Sequence, residues 1–214
     1  QLGFPVAKTM RLAQGLYEGR ELGDAGTVGL ITYMRTDSTR TSDEALDAVR
    51  AYITNTYGGT SLPKEARRFK VGKAAQEAHE AIRPTLLEFP PDSVKDFLGR
   101  DEFRLYQLIW NRFVASQMET ALFDTTRADI EAGAYSFRAT GSVLKFAGWL
   151  AVYHEGKDED APTDDARGAD VEAEDDEDRR LPRLKEGQAL DLKSLLPRQH
   201  FTTPPPRFSE ATLV

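Results

Sequence analysis

The chain has 214 residues, of which 40% are hydrophobic and 29% charged, and its formal net charge at pH 7 is −7. That length can bury a core in one large domain or two small ones. The absence of cysteine excludes disulfides and thiolate zinc sites, and no apolar run approaches the ~18 residues of a membrane span. A negative net charge by itself argues against a nucleic-acid partner.

The acidic charge is concentrated in one segment. Residues 155–178 contain 13 acidic and 2 basic side chains, whereas residues 1–154 contain 19 of each sign. Residues 179–214 contain 7 basic and 3 acidic side chains. The chain outside the acidic segment is therefore charge-balanced with a basic tail, which is compatible with DNA binding. The acidic segment is of low complexity and is predicted to be a disordered, solvated loop.

The first predicted element is an amphipathic helix over residues 6–18, where apolar residues recur at helical spacing. Gly19 is placed to end it, and residues 20–27 are predicted to form a flexible loop. Lys8 and Arg11 lie on this helix. They are either solvated surface charges or contacts to phosphate groups, and the solvated charge is the more common case.

The next segment, residues 29–39, reads GLITYMRTDST and places Tyr33, Arg35 and Asp37 at alternate positions. In an extended strand, alternate residues share a face and lie roughly 6.6 Å apart, so these side chains would project together. A phenol beside a guanidinium suits attack on a phosphodiester, because the phosphate needs a cation that stays charged. The spacing alone also fits a half-buried strand tyrosine with two solvent-facing charges.

A second helix is predicted over residues 42–56, because Thr41 and Glu44 match a capping-box pattern. Residues 60–74 follow as a basic surface loop.

A short third helix is predicted over residues 76–83. At helical spacing, one face would hold four polar residues, Gln76, His79, Glu80 and Arg83. His79 and Arg83 could donate to phosphate oxygens; alternatively, this is a surface helix with an internal Glu80–Arg83 ion pair. A zincin site is excluded, because Arg83 stands where the second histidine ligand would be needed.

The second half of the chain begins with a long helix predicted over residues 101–119. Residues 121–131, 135–146 and 148–154 are then rich in β-formers and predict an antiparallel meander. Strand character returns at residues 188–195.

These elements predict an α+β protein with two domains. Residues 1–120 would form a mainly helical domain that contains Tyr33. Residues 121–214 would form a β-rich segment interrupted by the acidic loop at 155–178.

Four segments resemble the type IA DNA topoisomerases, the bacterial topoisomerase I class, in the expected order. They are residues 2–19 (LGFPVAKTMRLAQGLYEG), 29–39, 76–85 (QEAHEAIRPT) and 200–214 (HFTTPPPRFSEATLV). The resemblance covers nearly the whole chain. It implies a helical domain similar to catabolite-activator folds, followed by an incomplete part of the β-rich gate, or arch, domain.

The resemblance implies roles for particular residues. Tyr33 would be the nucleophile, Arg35 would contact the phosphate beside it, and His79 would lie near the scissile phosphate. Asp37 would either orient Arg35 or cap the following turn, and we expect a supporting role. The remaining candidates for DNA or phosphate contact are Arg83, Gln76, Lys8 and Arg11.

The implied reaction is transesterification: the tyrosine breaks one strand through a 5′-phosphotyrosyl link and later rejoins it without ATP, which relaxes negative supercoils. Its partner would be a single-stranded segment of negatively supercoiled DNA in the cytoplasm, at the nucleoid, with no membrane. The required Mg²⁺ would be held by a Toprim domain, with no cofactor bound within this chain. We therefore expect an inactive central fragment of a larger enzyme, whose unpaired strand edges could pair to form a dimer.

Two other functions remain to be compared with this one. The chain could be a non-catalytic module that binds single-stranded DNA or acts as a gate. A nuclease similar to tyrosine recombinases is disfavoured, because their Arg/His/Arg constellation around the tyrosine is not apparent.

Overall fold

The computed structural model describes residues 1–69, 79–154 and 180–197, together with residues 199, 201, 202, 204, 207 and 208. The predicted acidic loop at residues 155–178 therefore lies outside the described residues. The chain divides into two compact units. The first contains Gln1–Thr120 and the segment that starts at Gly148, and the second contains Ala121–Ala147. The division into domains at residues 1–120 and 121–214 stays a prediction.

Helices dominate the first unit and a long hairpin forms the second, so the predicted α+β class is confirmed. The helices are α1 (Val6–Glu18), α2 (Asp43–Tyr57), α3 (Pro91–Val94) and α4 (Arg100–Ser116). The strands are β1 (Arg20–Glu21), β2 (Thr27–Val28), β3 (Leu122–Ala132) and β4 (Tyr135–Phe146). Among the described helices, none combines the length and the apolar character that a membrane span requires.

The three long helices confirm the predictions for residues 6–18, 42–56 and 101–119. Helix α2 begins one residue later than the capping-box pattern predicts. Its N-cap is Ser42, whose hydroxyl accepts a hydrogen bond from the Ala45 N–H at 3.4 Å, as capping residues do for the unpaired amides of a first turn. The helix ends at Gly58, where φ is 84° and a side chain would be strained.

The core of the first unit lies between the long helices, and α1 packs against α4. Trp110 and Tyr106 of α4 are buried there, and Trp110 contacts Tyr52 of α2 edge to face with ring centroids 5.4 Å apart. The hydroxyl of Tyr106 donates to the Phe89 carbonyl at 2.7 Å, and burial raises its pKa above the usual range. Trp110 and Phe113 both belong to this core.

The second unit is an antiparallel hairpin of β3 and β4, which confirms the strands predicted at residues 121–131 and 135–146. The register pairs Ala132 with Tyr135 across a turn at Gly133, where φ is 63°. That backbone conformation favours glycine, so the turn fixes the register.

Three local predictions are wrong. Residues 20–27 are not simply a loop, because β1 and β2 pair on either side of a 3-10 turn at Gly23–Ala25. Gly148–Ala151 forms a 3-10 turn and not a strand, since the Trp149 N–H donates to the Glu119 carbonyl and Leu150 is buried in the first unit. Residues 188–195 form no strand, because none of the described segments pairs with them.

Candidate functional site

The segment that contains Tyr33 leaves the core as extended chain and becomes an exposed loop. Leu30 and Ile31 are buried, and the Leu30 N–H donates to the Leu16 carbonyl at the end of α1, at 2.8 Å. Tyr33 is 46% exposed. The predicted strand is not formed, since Ile31 makes only an isolated bridge to Pro84 and the chain bends at residues 36 and 37. We call residues 33–39 the Tyr33 loop.

Both ends of the Tyr33 loop are hydrogen-bonded to one other stretch of chain, residues 79–83. The Thr32 N–H donates to the Arg83 carbonyl at 2.9 Å, and the Ala81 N–H donates to the Arg40 carbonyl at 2.7 Å. These residues are therefore extended, and the predicted helix over residues 76–83 is wrong in its described part. Their backbone groups pair with the Tyr33 segment and not with one another. Gln76 lies outside the described residues.

Two hydroxyl groups strengthen this attachment. The Thr32 hydroxyl donates to the Ala81 carbonyl at 2.8 Å and accepts from the Arg83 N–H at 3.0 Å. The Ser38 hydroxyl, on a residue only 5% exposed, donates to the His79 carbonyl at 2.7 Å. Because these donors and acceptors are largely shielded from water, losing one of them would leave its partner unsatisfied. The loop is thus held in a defined conformation.

The Tyr33 ring lies against one aromatic ring and one cation. Its centroid is 5.1 Å from that of Tyr17, on the last turn of α1, at an interplanar angle of 59°. The central guanidinium carbon of Arg35 lies 5.0 Å from the Tyr33 ring centroid. The Arg35 N–H also donates to the Tyr33 carbonyl at 2.9 Å, which forms a tight turn. This geometry places a permanent positive charge beside the phenol.

Asp37 forms a hydrogen-bonded contact with His79. The imidazole Nδ1 lies 2.9 Å and 3.2 Å from the two carboxylate oxygens of Asp37. A carboxylate accepts a proton-bearing Nδ1, which fixes the ring orientation and leaves Nε2 as the atom able to contact a ligand. Asp37 was expected to orient Arg35 or to cap the following turn, whereas the contact described here is with His79, which the sequence did not indicate.

Arg83 is largely engaged within the protein. Its guanidinium donates to the Glu80 carboxylate at 2.6 Å and to the Pro84 carbonyl at 2.9 Å, and its side chain is 12% exposed. The predicted Glu80–Arg83 ion pair is confirmed, although it forms in extended chain and not in a helix. Arg83 therefore supports the stretch that holds the Tyr33 loop.

Among the described residues, no hydrogen bond or ion pair joins Lys8 or Arg11 to the Tyr33 loop. Lys8 is paired with Asp101 of α4 at 2.6 Å and lies over the Phe4 ring at 4.3 Å. The hydrogen bond from the Lys8 ammonium holds the pKa of Asp101 below its usual value. Arg11 is exposed on α1.

A magnesium site is not found in the part of the chain that the structure describes. There, no group of three or more His, Asp and Glu side chains could hold a metal ion. The Tyr33 loop offers a single carboxylate, Asp37, which is already paired with His79. Because Mg²⁺ binds through several oxygen ligands in octahedral geometry, these residues do not fit it.

Three contributors to the site were not identified from the sequence. Tyr17 lies 16 positions before the residue it contacts and has the pattern of an ordinary helix residue. Thr32 and Ser38 were included in the motif, but their partners lie about 50 and 41 positions away. Only the pairing of the two segments brings them together, and a single sequence contains no signal for it.

Comparison with known proteins gives consistent matches. A family model described as DNA topoisomerase matches residues 1–214. Proteins named DNA topoisomerase 1 from Xylella fastidiosa, strains Temecula1 and 9a5c, are each 48% identical over 216 residues, covering 100% of this chain and 25% of the relative. The crystal structure of full-length topoisomerase I from Thermotoga maritima aligns with a TM-score of 0.62 and 40% identity, over 73% of this chain and 25% of that chain. The chain thus spans a quarter of the length of these relatives.

Proposed function

This chain belongs to the DNA topoisomerase family, and from that premise we propose that it supplies the nucleophile of a type IA enzyme, which breaks and rejoins one DNA strand. The supporting observation is the arrangement around Tyr33. An exposed phenol lies under the Arg35 guanidinium, in a loop whose ends are bonded to the stretch containing His79.

In the proposed reaction, the Tyr33 oxygen attacks the phosphorus of a single-strand phosphodiester. A bond forms between that oxygen and phosphorus as the bond to the 3′ oxygen breaks. The phenol gives up its proton, and the departing 3′ oxygen takes one up to become a hydroxyl. The strand is left with a 5′-phosphotyrosyl link. Because this ester conserves the energy of the phosphodiester, the 3′-hydroxyl can reverse the step without ATP.

Arg35 and His79 would stabilise the charge that develops on the phosphate. Arg35 keeps its positive charge at any physiological pH and offers a planar set of donors that fits phosphate oxygens. His79 would present Nε2 to the same phosphate, because Asp37 holds Nδ1. Groups fixed before the substrate arrives need no reorganisation during the reaction, which is the main source of such electrostatic catalysis.

The remaining parts of the proposal concern the intact protein. Its substrate would be a single-stranded segment of negatively supercoiled DNA, and strand passage would relax the supercoils. The enzyme would act in the cytoplasm, at the nucleoid. Mg²⁺ would be held by a Toprim domain in another part of the protein, since the described residues do not fit it.

Replacement of the nucleophile tests this proposal. In the intact enzyme, Tyr33→Phe should abolish the covalent adduct with a 3′-labelled single-stranded oligonucleotide, because the hydroxyl is the attacking group. The adduct is detected as labelled protein on a denaturing gel. Tyr135→Phe, in an exposed tyrosine of the hairpin, is the matched control and should retain full adduct formation. An adduct formed by the Tyr33→Phe protein would show that another residue is the nucleophile.

A further inference from the structure

A basic depression follows the Tyr33 loop directly in the chain. Its volume is about 170 Å³, and the residues that line it include Thr39, Arg40, Thr41, Arg67, Arg68 and Phe69. Three of these are arginines and none is acidic. We call this depression the arginine pocket.

The backbone that presents Arg67 and its neighbours is anchored to the core of the first unit. Gln117, at the end of α4, is only 1% exposed. Its amide oxygen accepts from the Arg67 N–H, and its amide nitrogen donates to the Arg67 carbonyl, both at 3.0 Å. A buried amide that satisfies both backbone groups of one residue fixes that residue in place. Arg68 and Phe69 follow directly, so their side chains start from an ordered backbone.

Arg40 connects the pocket with the Tyr33 loop. Its N–H donates to the Ser38 hydroxyl at 3.2 Å, and its Nε lies 3.5 Å from the His79 carbonyl. The pocket therefore adjoins the residue whose ring is paired with Asp37. The other guanidinium donors of Arg40 make no hydrogen bond with the described residues.

The charges at the pocket are only partly compensated by the protein. Arg68 is paired with Asp43 at 2.6 Å, but both side chains are well exposed, at 66% and 75%. Such an exposed pair is worth little and can exchange its partner for a phosphate. Arg67 donates to the Thr120 hydroxyl at 3.0 Å and lies 3.9 Å from the Glu119 carboxylate. Phe69, which is 49% exposed, adds an aromatic ring at the rim.

We propose that the arginine pocket binds a phosphodiester of the single-stranded DNA beside the one that Tyr33 attacks, with Phe69 stacking on a neighbouring base. Arginine forks match phosphate oxygens, and exposed aromatic rings hold single-stranded bases without regard to sequence. The pocket would thereby set the path of the strand towards Tyr33. This inference rests on the proposed function and assigns a binding site to it.

The test measures binding separately from cleavage. In the intact protein with Tyr33→Phe, a fluorescent single-stranded oligonucleotide is titrated at several salt concentrations and followed by anisotropy. Arg40→Ala with Arg68→Ala should weaken binding at least tenfold. It should also reduce the slope of log K against log salt by about 0.7 for the phosphate that is lost. Phe69→Ala should weaken binding with the slope unchanged. Thermal melting checks that every variant is folded.

The matched control removes two positive charges elsewhere, by Arg100→Ala with Arg127→Ala, and should keep both the affinity and the slope within error. Unchanged affinity and slope in the Arg40/Arg68 variant would overturn the proposal. A fluorescent peptide with the sequence of residues 155–178 is the second probe. If it binds through Arg40 and Arg68 while oligonucleotide binding does not depend on them, the pocket serves an acidic protein segment and the proposal fails.

These outcomes are distinct from a failure of the proposed function. If the intact protein that retains Tyr33 forms the covalent adduct, but the pocket variants bind the oligonucleotide with unchanged affinity, only the pocket proposal falls. If the pocket variants lose affinity while no adduct depends on Tyr33, the arginine pocket is still a binding site for single-stranded DNA, and the assignment of Tyr33 as the nucleophile falls.

Discussion

At the residue scale, four polar side chains of the Tyr33 loop have a defined neighbour, namely those of Tyr33, Arg35, Asp37 and Ser38. The Arg35 guanidinium lies over the Tyr33 ring, and the Asp37 carboxylate holds Nδ1 of His79. Both contacts orient a group by its shape as well as its charge, because a guanidinium is planar and an imidazole has two distinct nitrogens. Substitutions that keep the charge but change the shape should therefore impair the reaction.

Arg35→Lys is the first such substitution. An ammonium group cannot reproduce a planar, two-pronged grip on phosphate, and it stacks less well on the phenol ring. We expect relaxation by the intact enzyme to slow at least tenfold, which corresponds to about 1.4 kcal/mol of activation free energy. The measurement is the initial rate of plasmid relaxation. A rate equal to that of the unsubstituted enzyme would mean that Arg35 is only a surface charge.

The Asp37–His79 pair can be tested by a double-mutant cycle. Asp37→Asn removes the charge that fixes the His79 ring, so we expect adduct formation to slow about tenfold or more. Once His79→Gln is present, adding Asp37→Asn should have little further effect, because the two residues act as a unit. Additive effects on the rate of adduct formation would show that Asp37 acts independently of His79.

At the element scale, the extended stretch 79–83 determines the conformation of the Tyr33 loop. It acts as a neighbouring strand would, because it forms backbone hydrogen bonds with both ends of the loop. Thr32 is central because one hydroxyl bonds to the carbonyl of Ala81 and to the N–H of Arg83. The loop should loosen when this hydroxyl is removed.

Thr32→Val keeps the shape of the side chain and deletes the hydroxyl. We expect the free energy of unfolding to fall by about 1–3 kcal/mol, because two backbone groups lose a partner. Urea unfolding of the 214-residue chain measures this loss, and amide hydrogen exchange at Arg83 reports the local opening. Thr54→Val on α2 is the matched control, since its hydroxyl donates only to the Arg50 carbonyl at an exposed position; its effect should stay within about 0.5 kcal/mol. Equal losses in both variants would contradict a special role for Thr32.

At the scale of the whole molecule, the two units differ in how they bury apolar surface. The first has a continuous core between its helices. The hairpin is two-stranded and leaves large apolar side chains exposed, among them Leu122, Phe123, Phe137 and Leu144. A two-stranded hairpin has little independent stability, and exposed apolar side chains on it favour association. This is consistent with the predicted dimerisation of the chain, which stays a prediction.

The 214-residue chain by itself should not relax supercoiled plasmid at any Mg²⁺ concentration. It spans a quarter of the length of its relatives, so under the proposed function we expect strand passage to need regions that those relatives have and this chain does not match. The described residues also contain no group of three or more His, Asp and Glu side chains that could hold a metal ion beside Tyr33. Agarose gel electrophoresis of treated plasmid measures this, with Tyr33→Phe as the control. Relaxation that depends on Tyr33 would show that the chain is sufficient for the reaction.

The sequence by itself determined the features that depend on neighbouring residues. Helical periodicity located α1, α2 and α4, and alternation of β-formers located β3 and β4, because each pattern reflects burial of one face of its own element. Tyr33 and Arg35 could also be identified as site candidates from the sequence, because both residues lie in one short segment. Tertiary structure alone decided the extended state of residues 79–83 and the pairing of Asp37 with His79. Both depend on hydrogen bonds between segments about 40 to 50 residues apart, which override the local helical preference and are encoded in no single stretch of sequence.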